Sequence, residues 1–170
     1  MKTMNNNANI LKIFVPCIVA LFVIIFDQIS KIVIEGIFDV GNSVVVIPNV
    51  LNFTYVKNTG AAFSMLTGHT TFLIIFTAVV MVGCVYVIIK DVFDSTIVNW
   101  ALFMCLGGGI GNMIDRIRLH YVVDFIECKL FEFPVFNIAD IAVTIGGCLM
   151  GLYIIKELFF SKKESKPESN

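Results

Sequence analysis

The stretch HYVVDFIECKLFEFPVFNIAD, residues 120–140, joins two unlike kinds of sequence. Its first half sets Val, Phe and Ile around Asp124, which reads as a short strand over residues 121–126. Its second half turns near Pro134 and enters a long apolar run at NIAD. There Asn137 can cap a helix, and Asp140, three residues on, stands where a capping acid belongs. A carboxylate is costly to desolvate unless something compensates it. Capping accounts for Asp140 but not for Asp124, so the pair needs another explanation.

The surrounding chain sharpens the question. It has 170 residues, of which 58% are hydrophobic and 15% charged, with a mean hydropathy of +0.90. A soluble domain carries about a quarter charged residues, so this is the composition of a membrane protein. The net charge of −1 offers no basic footprint, which excludes nucleic acid as a partner. Cys17, Cys84, Cys105, Cys128 and Cys148 show no paired spacing, and all but Cys128 lie in apolar runs, so no disulfide framework is expected. His69 and His120 are isolated from each other and from the cysteines, which leaves a zinc site unsupported.

Four segments are long enough to cross about 30 Å of hydrocarbon. Residues 10–26 are apolar apart from Lys12 and Pro16 and continue past Asp27 toward 34. Residues 71–89 and 97–114 carry no charge, and residues 141–160 carry only Lys156 and Glu157 near their end. The expected fold is therefore mainly α, a four-transmembrane-helix bundle in one integral-membrane domain over residues 1–160. Its helices are expected at about 10–34, 71–89, 97–114 and 138–160, with outer loops at about 35–70 and 115–137. The first loop is rich in Val, Thr, Tyr and Phe with turn residues between them, so it predicts a small extracytoplasmic β-element. Lys2, Lys12, Lys156, Lys162, Lys163 and Lys166 place both termini in the cytoplasm, and residues 161–170 read as a disordered cytoplasmic tail. Lys31, Lys57, Arg116, Arg118 and Lys129 then lie outside, against the positive-inside bias.

Ionisable groups inside such a chain are functional candidates by default. Asp27 and Lys31 are four apart, acid first, the favourable order for an ion pair on one helix face. Gly108, Asn112 and Arg116 recur every four residues and form one stripe, while Gly107 and Gly111 permit close approach of another helix. Asn137, Asp140 and Thr144 share a face of the last helix. The turn at FEFP can bring Asp124 and Asp140 together at one depth. Two adjacent carboxylates cannot easily both ionise, so one keeps a proton while the other acts as base. An aspartic protease needs that arrangement. The competing reading is a small carboxylate-relay transporter or proton channel using Asp27, Asp124 and Asp140. It requires polar groups through the whole bundle, and the inner two thirds offer little beyond Thr77, Asn99 and Thr144.

Five stretches, in order, resemble the lipoprotein signal peptidase family (signal peptidase II, or prolipoprotein signal peptidase). They are FDQISK (26–31), NTGAAFSML (58–66), GGGIGNMIDRIR (107–118), YVVDFIE (121–127) and FNIADIAVTIG (136–146). The resemblance implies an aspartic endopeptidase of the bacterial cytoplasmic (inner) membrane, with four helices and an outer β-cradle. It would remove the signal peptide from a prolipoprotein just before a diacylglyceryl-modified Cys. Asp124 and Asp140 match the catalytic dyad; Asn58, Gly60, Gly108, Asn112, Arg116, Asn137, Asp27 and Lys31 match polar or close-packed positions in or near the family's site. Arg116 would hold a backbone carbonyl or the lipid-bearing part of the substrate. No metal or organic cofactor is implied. The expected partners are the lipidated precursor and membrane phospholipid, and the enzyme is expected to act as a monomer. Two positions depart from the family pattern. Ile141 follows the second Asp where a small polar residue is usual, and His120–Tyr121 precede VVDF where a Gly is common.

Overall fold

A computed structural model describes residues 6–61 and 65–160; the expected tail at 161–170 lies outside the described residues. The chain runs α1 (Asn6–Ile37), β1 (Ser43–Ile47), β2 (Leu51–Asn58), α2 (Thr70–Ile89), α3 (Thr96–Leu119), β3 (Val122–Cys128) and α4 (Ile138–Phe160). All four helices are long and apolar enough to cross a membrane. Their outward faces carry bare hydrophobic side chains such as Phe22, Val79 and Leu152, the surface expected of a chain solvated by lipid tails.

Helix α3 is the axis of the bundle. More than half of its apolar window is buried, against less than a fifth for each of the others. Glycines explain why it can be surrounded. A Cβ on Gly107 would meet the Ala20 backbone of α1 at 3.1 Å, and one on Gly108 would meet the Ala139 carbonyl of α4 at 2.2 Å. Backbones approach closely only where side chains are missing. From α4, Gly146 answers in kind, with Ala101 of α3 where its Cβ would be. Ala20, Val98, Leu102, Phe103 and Leu106 fill the space toward the end of the bundle that holds the α2–α3 turn.

At the opposite end the three strands form one antiparallel sheet in the order β1-β2-β3. Leu51 pairs with Cys128 and Asn58 with Val122, with a bulge between Phe53 and Val56. Ile34 of α1 packs with Tyr55, Val123 and Phe125 of the sheet. The Tyr55 and Tyr121 hydroxyls both donate to Glu35 at 3.2 Å. This cluster fixes the sheet on top of α1, and through β3 it fixes Asp124 above the bundle.

The structure extends the expected helices at three ends. Helix α1 runs from Asn6 to Ile37 rather than over about 10–34, and α3 runs on to Leu119 rather than ending near Ile114. Asp115, whose charge suggested an end, is 1% exposed and lies 2.9 Å from the Lys31 ammonium. Once neutralised, it no longer stops the helix. The helix ends instead at His120, in the left-handed region at φ +65°. Glycine usually closes a helix there, so the departure at His120 falls on the position with the strongest backbone reason for a glycine.

Candidate active site

A cavity of about 690 Å³ opens between the sheet and the outer ends of α3 and α4, within the size range of small-molecule and peptide pockets. Its lining combines the polar side chains of Asn58, Asn112, Arg116, Asp124 and Asp140 with the apolar ones of Phe133, Pro134, Ile141, Val143 and Ile145.

Asn137 ties the two aspartates together. Its Nδ2 donates to Asp124 Oδ1 at 2.7 Å, and its backbone N–H donates to Asp140 Oδ2 at 3.1 Å. The Asp140 N–H returns a bond to Asn137 Oδ1 at 2.9 Å, so Asn137 and Asp140 form the reciprocal capping box expected at the start of α4. Capping uses only part of Asp140, because its Oδ1 accepts from Asn112 Nδ2 at 2.8 Å. The second oxygen of Asp124 accepts from Asn58 Nδ2 at 2.9 Å. The Asn58 Oδ1 in turn accepts the Gly60 N–H, and the Gly60 carbonyl accepts from Arg116 Nη2 at 3.0 Å. Four carboxylate oxygens thus meet four donors, and both aspartates share one shell of amides.

Asp124 is 1% exposed. Burial, and then the neighbouring Asp140 charge, push its carboxyl up to about 7 despite the amide bonds and Lys31. Desolvation and a like charge both favour the protonated form of Asp124. Among the described residues, no three His, Cys, Asp or Glu side chains group as a metal-ligand set.

Not every expected residue reaches the cavity. Asp27 and Lys31 form their ion pair, at 2.8 Å and almost fully buried, but behind the cavity wall. Gly108 packs against α4, and Asn137 is buried beneath the aspartates. Sequence reasoning missed Asp115 and Gln28. The Asp115 carboxylate takes Lys31 Nζ, Gln28 Nε2 at 3.0 Å and the Val123 N–H at 3.1 Å. A signal was available, since Asp115 lies four residues beyond Gly111 on the face that meets α1.

A family model described as "Signal peptidase (SPase) II" matches residues 19–156. The chain belongs to the signal peptidase II family. It is 40% identical over 151 residues to the lipoprotein signal peptidases of Staphylococcus aureus strains JH9 and Newman, covering 88% of this chain and 92% of each relative. A solved bacterial membrane enzyme superposes with a TM-score of 0.84 at 37% identity, covering 93% of this chain and 94% of that one. A second does so with a TM-score of 0.79 at 39% identity, covering 85% and 95%. This signal peptidase II family member is therefore a multi-pass membrane peptidase. Its departure at Ile141 is a cavity-lining side chain, 40% exposed, so the difference lies in the apolar part of the lining and leaves the amide shell intact.

Proposed function

We propose that this protein is an intramembrane aspartic endopeptidase. It removes the signal peptide from prolipoproteins, cutting on the N-terminal side of a diacylglyceryl-modified Cys. The observation that carries the reading is the double grip of Asn137 on Asp124 and Asp140, which holds two carboxyl groups of unequal environment at the mouth of one cavity.

In this mechanism Asp140 is the ionised base and Asp124 the protonated partner. Asp140 takes a proton from water, and the oxygen attacks the scissile carbonyl carbon while Asp124 donates its proton toward the carbonyl oxygen. When the tetrahedral intermediate collapses, the C–N bond breaks and a proton passes to the departing amine. Asn58 and Asn112 hold the two carboxyl groups in place. Arg116 keeps the Gly60 carbonyl and aims the rest of its guanidinium fork at the substrate. The apolar part of the lining, continuous with the lipid-facing side of α4 through Val143 and Ile145, gives the acyl chains a route that never leaves hydrocarbon. The enzyme sits in the bacterial cytoplasmic membrane with both termini in the cytoplasm and the sheet outside, where a signal helix ends.

The test is cleavage of a purified diacylated precursor by the wild type and by Asp124→Asn and Asp140→Asn. Each substitution is expected to lower kcat by at least about 10³-fold with the folded protein still in the membrane. Retention of cleavage by either variant would overturn the dyad.

A further inference from the structure

The buried cluster behind the cavity has a connectivity that an ion pair alone does not require. Lys31 is 2% exposed, and its ammonium has three acceptors: Asp27 Oδ2 at 2.8 Å, Asp115 Oδ2 at 2.9 Å and Asn112 Oδ1 at 3.0 Å. An ammonium has three N–H donors and no acceptor, so all of them are used. Each leads in one step to the aspartates in the cavity. Asp27 Oδ1 accepts the backbone N–H of Ala139, the residue before Asp140, at 2.9 Å. Asp115 Oδ2 accepts the backbone N–H of Val123, the residue before Asp124, at 3.1 Å. Asn112 donates to Asp140 itself at 2.8 Å.

We propose that Lys31, with Asp27 and Asp115, is a positioning clamp that sets the separation of Asp124 and Asp140 by holding the backbone N–H of the residue before each. The inference rests on the dyad reading above. Val123 belongs to a strand and Ala139 to a helix, and both are 0% exposed. The segment between them is tied to β3 by the Ile126–Phe136 bridge, and Asn137 bonds both aspartates. Short charge-assisted bonds around one central cation add a second tie, acting on the backbone before each aspartate. The third arm fixes orientation as well as distance. Because the ammonium can only donate, Asn112 must turn its oxygen to Lys31 and its Nδ2 to Asp140. Asp140 is thereby held in orientation through its Oδ1.

Stability is a poor reason for the cluster. Buried ion pairs often contribute little net stability relative to apolar residues of the same volume. The chain nevertheless makes room for it. A Cβ on Gly111 would stand 2.7 Å from Asp27 Oδ2, so that glycine leaves space for the carboxylate. Gln28 adds bonds to Asp115, Asp27 and the Gly111 carbonyl, which tie the clamp to α3.

The test uses Ala at each arm and Asn at Asp115 in the full-length enzyme, with rates expressed per folded molecule. In Asp115→Ala or Asp27→Ala, Lys31 keeps one carboxylate partner but one peptide N–H loses its anchor. We expect kcat to fall about 100-fold, the effect of misplacing reacting groups by about an ångström, with KM within twofold. Asp115→Asn keeps one oxygen for both Lys31 and the Val123 N–H and is expected to recover at least tenfold of that loss. If an Ala variant does not accumulate, Asp115→Glu serves instead. It retains the ion pair but moves the acceptor by a methylene, and its kcat is expected to fall at least tenfold. A kcat per folded molecule within threefold of wild type in the Ala variants, or in Asp115→Glu where it replaces them, would remove the clamp. So would an Asp115→Asn variant as slow as Asp115→Ala. Cleavage retained by Asp124→Asn would remove the dyad itself, so the two failures are told apart.

Discussion

In the proposed mechanism Asp124 donates a proton, and the same proton is linked to the stability of the fold. The Asp124 carboxyl is raised from 3.8 to about 7 by burial and by Asp140, so the folded chain binds that proton more tightly than the unfolded chain does. Stability from this group is therefore fully present below about pH 4, the unfolded value, and is lost as pH rises through about 7. The melting temperature of the wild type should fall between pH 4 and 7.5, and that component should be missing in Asp124→Asn. The rate should lose its proton-dependent step over the same upper range, with a basic limb near pH 7 whose apparent value belongs to the pair. A pH–rate profile flat to pH 9 would contradict Asp124 as the proton donor. The residues around this proton were unevenly legible. Asp124, Asp140, Asn58, Asn112 and Asn137 stand out because polar groups are rare in so apolar a chain. Asp115 did not, because beside Arg116 it looks like an ordinary helix end. Its burial depends on Lys31, 84 residues away, and no local pattern carries that.

At the scale of elements, the length of the uncharged apolar runs located four helices, and β-branched composition located the sheet. The ends were harder to read, because each is decided by a tertiary partner. Helix α3 outruns its expected end by a turn because Lys31 neutralises Asp115, and it stops where His120 takes a left-handed conformation. Glycines of identical local appearance also differ in consequence. Gly108→Ala would force a methyl to 2.2 Å from the Ala139 carbonyl and 2.7 Å from Val143, driving α3 from α4 beside Asp140. Overpacking of this kind costs about 1–3 kcal/mol or more. Gly147→Ala, with nothing within 4 Å, only removes a glycine from a helix interior and should be neutral or stabilising by up to about 1 kcal/mol. Thermal unfolding in the same detergent checks the contrast: Gly108→Ala is expected to melt several degrees below wild type and Gly147→Ala no lower than wild type. Equal melting temperatures would mean that the α3–α4 contact is looser than these distances imply.

For the whole molecule, the open question in the sequence was a set of cations on the side that should be poor in them. The structure gives most of them partners. Lys31 is held between two buried aspartates, Lys57 lies 4.7 Å over the Tyr121 ring, Lys129 pairs with Glu127 and Arg116 bonds the Gly60 carbonyl. Cations committed to partners on a folded surface offer less free positive charge than the sequence count suggests, and the orientation bias concerns short flanking segments rather than folded caps. At the other end, Lys12 bridges to Asp94 at 3.2 Å, placing the start of α1 and the α2–α3 turn on one side. With Lys90 and Lys156 at the same end, that side should be cytoplasmic and the sheet outside. In a variant with its five cysteines replaced by Ser, single substitutions at two exposed valines test this. Val40→Cys, between α1 and the sheet, should react with a membrane-impermeant maleimide in intact spheroplasts. Val92→Cys, in the α2–α3 turn, should react only after permeabilisation. The reverse pattern would invert the protein in the membrane and put the cavity on the side where a precursor's lipid-bearing cysteine is absent.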